Sequence, residues 1–179
     1  MEDISVITAV HHPLRRRIVD HLLLHEKAQV GTLARALDAQ VGSISHHLRM
    51  LQRAGVAEQI QAPDGDRRAS WWRLIRTSLS WSSRDYADSP ADAYLAREAR
   101  RLNVRHQLER LQQWNRASPN SDVQGFNTDA LAWATPAELS DLSQRIVETL
   151  ETWRSGIDRE DGQRRMPVYF FAHGFPTEV

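Results

Sequence analysis

The sequence predicts a mostly α-helical chain with one small β-hairpin. Apolar residues recur every three or four positions through most of its 179 residues, the helical period. Only around residues 56–75 does the pattern turn strand-like, on either side of Pro63-Asp64-Gly65-Asp66. Two further helical runs, 92–116 and 136–155, follow in the second half.

The elements can be justified in order. Ile4 to Val10 fits a short first helix. Pro13 suits a first helical position, and Leu14, Ile18 and Leu22 follow at four-residue steps to about His25. Val30, Leu33, Ala34 and Leu37 mark a short helix, and Asp38-Ala39-Gln40 a brief break. Ile44, Leu48 and Leu51 mark the next helix, about 41–54, ending at Gly55, where a left-handed cap fits. Two short helices so closely joined read as a helix-turn-helix.

Val56 to Ala62 and Ser70 to Ile75, the latter with Trp71 and Trp72, read as strands around a turn in which Gly65 is free to take positive φ. A hairpin directly after the third helix of this set makes a winged helix, with the wing at about 56–75. Ser78 to Pro90 is a Ser- and Asp-rich linker. Asp92 to Arg116 is a long helix, and Ala117 to Ala134 a loop. Thr135-Pro136-Ala137-Glu138 is a capping box. It starts a helix with Leu139, Leu142, Ile146, Leu150 and Trp153 on one seam. Val168-Tyr169-Phe170-Phe171 reads as a short terminal strand. The expected organisation is a DNA-binding winged helix-turn-helix over 1–76 and a C-terminal helical dimerisation region over 77–179.

Composition narrows the function. Basic and acidic residues balance at 23 each, but unevenly along the chain. Residues 1–76 carry a net +3 and residues 77–179 a net −3. All cations but Lys27 are arginine, the side chain suited to bidentate phosphate contacts. The absence of cysteine excludes disulfides, thiol nucleophiles and thiolate metal sites. No stretch approaches a membrane span, and the acidic start lacks the features of a signal peptide. A cytoplasmic, nucleoid-associated location is expected.

On a wheel of about 100° per residue, Ile44, Leu48 and Leu51 share one face, and Gly42, His46, Arg49 and Arg53 centre the opposite one. Ser43 and Ser45 flank that face. Small residues near the helix start permit close backbone approach to a major groove. Hydroxyl, imidazole and guanidinium groups suit base edges and phosphates. Arg67 and Arg68 at the hairpin tip are placed for phosphate or a minor groove, and the Arg15-Arg16-Arg17 run is a weaker candidate. An ordinary solvated face is the bland alternative for each.

Several of these segments resemble the ArsR/SmtB-type winged-helix repressors. His12-Pro13-Leu14-Arg15-Arg16-Arg17-Ile18-Val19 looks like that family's opening, and Leu33-Ala34-Arg35-Ala36-Leu37 like its second helix. Ser43-Ile44-Ser45-His46-His47-Leu48-Arg49-Met50-Leu51, with Ala54-Gly55-Val56, looks like its recognition helix and exit. The resemblance spans about residues 4–76. It implies a homodimer that binds a pseudo-palindromic operator in double-stranded DNA and usually represses. It also implies that Ser43, Ser45 and His46 touch DNA, with Arg49 on phosphate. Gln40 departs from the family's frequent serine cap.

The family's metal sites find no counterpart here. His106 and Glu109 match half of a dimer-helix site, but Ala93 and Leu95 occupy the other half. One histidine and one carboxylate fall short of zinc's usual ligand number. His21 and His25 have a metal-compatible spacing but also read as helix-surface residues. No metal and no cofactor is expected. The aromatics of the C-terminal region raise a small organic effector as an alternative to packing and dimer contacts. An enzyme is not expected, since no nucleophile, phosphate loop or spaced acid–base set is present. A winged helix serving as a protein-interaction module is the other rival, disfavoured by the outward arginine and histidine face.

Overall fold

The computed structural model describes residues 3–61, 70–76, 81, 83–117 and 125–178. Among these residues are six α-helices: α1 (Ile4–Val10), α2 (Pro13–His25), α3 (Val30–Ala36), α4 (Val41–Arg53), α5 (Pro90–Ala117) and α6 (Pro136–Ser155). Three short strands, β1 (Lys27–Gln29), β2 (Ala57–Ile60) and β3 (Trp71–Leu74), form an antiparallel sheet in the order β1-β3-β2. The mostly helical, winged helix-turn-helix architecture expected from the sequence is the one observed.

The chain divides into two compact units, 1–115 and 116–179. This boundary lies about forty residues beyond the one expected at residue 76. In the first unit the helices and the sheet enclose one core. Ile18, Leu22, Leu33, Ile44, Leu48 and Leu51 are its largest fully buried side chains, and Trp72 and Ala28 close it from the sheet. Each buried aliphatic side chain contributes about 1.5–3 kcal/mol relative to exposure, so this cluster dominates the unit's stability. Alternation along β3 puts Trp72 inward and Arg73 outward, where Arg73 Nε donates to the Glu58 carboxylate at 2.7 Å across the register pair.

β1 was not expected from the sequence. Its three residues are too few to show a period, and it exists because Ala28 pairs with Trp72 on the free edge of β3. Gly55 takes a φ of 67° after α4, as the left-handed stop requires.

A second, smaller cluster joins Ile7 and Tyr86 to Ala96 and Ala99 of α5. Alanine at both positions lets α5 approach closely. The expected linker is only partly irregular, since Ser83–Tyr86 is a turn of 3-10 helix. α5 begins at Pro90, where the Ser89 hydroxyl accepts from the Asp92 amide at 3.3 Å.

In the second unit, α6 carries the expected capping box. The Thr135 hydroxyl accepts from the Glu138 amide at 3.3 Å, and the Glu138 carboxylate accepts from the Thr135 amide at 2.7 Å. The short strand expected at Val168–Phe171 is not formed among the described residues, where the segment takes no part in a ladder. Phe126 stacks on Phe170 with centroids 6.3 Å apart. No residue of 125–178 is buried.

Candidate nucleic-acid interface

α4 is anchored from one side only. Ile44, Leu48 and Leu51 are fully buried, which fixes the opposite face outward. Gly42, His46, Arg49 and Arg53 are exposed, and Ser43 and Ser45 half-buried at its edges. Gln40, the N-cap residue, makes no side-chain cap hydrogen bond. That leaves the first-turn amides of α4 without the usual internal acceptor. A Cβ added at Gly42 would meet nothing within 4 Å, so the core does not demand glycine there. The first turn thus presents bare backbone next to two hydroxyls, an imidazole and two guanidinium groups. Arg67 and Arg68, expected at the wing tip, lie outside the described residues, as does the turn at 63–66.

The structure separates the two adjacent histidines of α4. His46 is exposed, whereas His47 is half-buried and packs on His12 at the start of α2, ring centroids 4.8 Å apart. The Nδ1 atoms of both are buried without a hydrogen-bond partner among the described residues. Burial, then the neighbouring His12, Arg15 and His46, hold the His47 pKa below the ordinary imidazole value. Burial and Arg15 do the same for His12. The wheel already contained this distinction: His47 sits beside Leu51 on the inward side, about 60° from Ile44.

The arginine run of α2 is structural. Arg15 is 8 % exposed. It donates to the carbonyls of Ala9 and Thr8, and it reaches Met50 Sδ of α4 at 3.4 Å. Those bonds turn it away from any phosphate. Arg17 donates to the Leu37 carbonyl at 2.8 Å, closing the end of α3. Arg16 donates to Asp20 at 3.0 Å and to Asn103 of α5 at 3.2 Å.

Asp20 is the hub between α2 and α5. Its carboxylate accepts from Arg16, and from Arg110 at 2.7 Å, and lies 3.2 Å from His106 Nε2. Burial would raise its pKa, but the His106 contact and the two guanidinium groups outweigh burial and lower it. His106, half of the metal arrangement considered from the sequence, therefore faces a carboxylate and, at 3.1 Å, the Arg110 Nε donor. Glu109 is exposed on another side of α5. The rings of His21 and His25 lie against each other, tilted by 37°, with centroids 4.3 Å apart. Among the described residues no three His, Cys, Asp or Glu side chains come together as a metal site. No described helix is long and apolar enough to cross a membrane.

His11 lies at the end of α1, beside His12, where its place in the sequence suggested a helix-end residue. It is 5 % exposed, neither ring nitrogen has a partner among the described residues, and its ring lies 5.8 Å from that of Trp81. Burial foremost, then the charges of Arg16 and His106, push its pKa down to about 4.

Comparison with known proteins adds one assignment. A family model described as a helix-turn-helix domain matches residues 10–60, from the end of α1 through β2. No curated protein matches the chain. Among solved structures, an apo-form mutant of ZitR from Lactococcus lactis is 14% identical over 76% of this chain and 80% of that one, with a TM-score of 0.34. FabT from Streptococcus pneumoniae, solved in complex with DNA, is 12% identical over 76% of this chain and 71% of that one, with a TM-score of 0.31. Similarity at that level fixes neither the overall fold nor an activity. The match over α2, α3 and α4 coincides with the anchored helix and its outward face: residues 10–60 are a helix-turn-helix domain.

Proposed function

We propose that this chain is a sequence-specific DNA-binding transcriptional regulator of the ArsR/SmtB type. In this reading a homodimer occupies a pseudo-palindromic operator and represses. The observation that carries it is the outward face of α4, whose polar and cationic side chains the core leaves free of any packing role. Gly42 brings the backbone of the first turn close to the groove. Ser43, Ser45 and His46 meet base edges, while Arg49 and Arg53 meet phosphate or guanine. Arg67 and Arg68 of the wing add phosphate or minor-groove contacts. The long α5 and the C-terminal region hold the two copies together, and an organic effector acts, where there is one, through the aromatic C-terminal region.

The test is selection from a random duplex library by the full chain, followed by binding isotherms at several salt concentrations. The reading expects an enriched two-fold-symmetric motif, half-sites about one helical turn apart, and affinity that falls steeply with salt. A library that stays random, with binding insensitive to salt, overturns it.

A further inference from the structure

Among residues 125–178 nothing is buried, while Leu142 and Trp153 of α6 are 51% and 52% exposed. Apolar surface of this extent, on a segment this short, marks an interface.

The seam of α6 has a specific symmetry. Leu139, Leu142, Ile146, Leu150 and Trp153 are spaced three, four, four and three apart, so the pattern reads the same in both directions from Ile146. A helix with such a seam matches a second copy of itself running antiparallel. Leu139 then meets the partner's Trp153, Leu142 meets the partner's Leu150, and Ile146 meets its own counterpart on the two-fold axis. In the first two layers a more exposed side chain meets a half-buried one, Leu139 being partly covered already by Gly174 of its own chain. α6 is 20 residues long, about 30 Å, enough for all five layers.

We infer that α6 pairs antiparallel with α6 of a second copy of this chain, on a two-fold axis through Ile146. The five seam residues, two half exposed and three half-buried, supply at most roughly 400 Å² per chain, about half of the about 800 Å² per partner of a standard interface. The α6 pair therefore extends a dimer rather than forming one alone, and the inference rests on the homodimer proposed above.

The chain has no cysteine, so a single introduced thiol reports its own neighbour. Packed helices lie about 8–10 Å apart and Cα atoms sit about 2.3 Å from the helix axis. Facing Cα atoms on a two-fold axis are then roughly 3.4–5.4 Å apart, which overlaps the range of about 4.4–6.8 Å that a disulfide spans. The full chain is made as Ile146→Cys, with Glu148→Cys on the opposite face of α6 as control. Both are checked for helicity and sedimentation, then mildly oxidised at low micromolar concentration.

The Ile146→Cys chain is expected to form a covalent dimer at least about tenfold faster than the control. Leu139→Cys and Trp153→Cys are expected to cross-link to each other when co-expressed, and slowly when each is alone. A chain that sediments as a dimer with equal rates for Ile146→Cys and Glu148→Cys overturns this inference and leaves the homodimer standing. A chain that sediments as a monomer, without an Ile146→Cys cross-link, overturns both.

Discussion

Acidification should weaken the first unit through His11. The buried ring holds its pKa near 4, against 6.5 for the unperturbed group. A folded-state pKa below the unfolded value means that the unfolded chain binds more protons, so stability falls as pH falls. The contribution is complete at neutral pH, is lost progressively below pH 6.5, and levels off once pH passes the folded value. Between pH 7 and pH 5 the linkage amounts to about 2 kcal/mol. Asp20 does not confuse this window, because its lowered pKa starts from 3.8 and acts only at more acid pH. His12, His21 and His47 are also held below the ordinary value and add their own slopes, so a control is needed. His11→Gln keeps a polar side chain of similar size and removes the titration. Urea unfolding followed by circular dichroism at pH 7, 6 and 5 should give a wild-type loss about 2 kcal/mol larger than the variant's. With m near 2 kcal/mol/M that difference is about 1 M in midpoint. Equal pH slopes in the two proteins would show that the His11 imidazole accepts a proton in the folded state as readily as in water.

Other perturbations probe the interface and the helix frame. Gly42→Ala should stabilise α4 by about 0.5–1 kcal/mol, since the added methyl meets nothing. The same change should weaken operator binding where the backbone approaches DNA, read by thermal melting beside anisotropy titration. His46→Ala and Arg49→Ala should each lose operator affinity, by about 1–3 kcal/mol for a base contact, with sedimentation unchanged; a monomeric variant would place that helix elsewhere. Asp20→Ala leaves Arg16, His106 and Arg110 facing one another without their carboxylate and should cost about 2–4 kcal/mol in urea melts, far more than an exposed pair.

What could be read from the sequence follows from how local each cause is. α2, α4 and α6 were legible nearly to their ends, because Pro13, Gly55 and the Thr135 capping box are punctuation with a local mechanism. The anchored face of α4 was equally plain, since a period of 3.6 places Ile44, Leu48 and Leu51 together wherever the helix lies. The misreadings concern partners distant in sequence. Nothing near Arg15 announces that its guanidinium closes the carbonyls at the end of α1, so three successive arginines read as a wet cationic face. β1 depends on the edge of a strand more than forty residues away. Val168–Phe171 has the composition of a strand but pairs with no strand among the described residues, and a ladder needs two. That segment and α6 raise the same physical question: periodicity states which face of an element must be covered, and says nothing of which chain covers it. The mirror spacing around Ile146 suits a copy of the same helix running antiparallel, the pairing inferred above. Cross-linking at that residue is consequently sharper than a measurement of oligomeric state, because it asks where the two-fold axis runs.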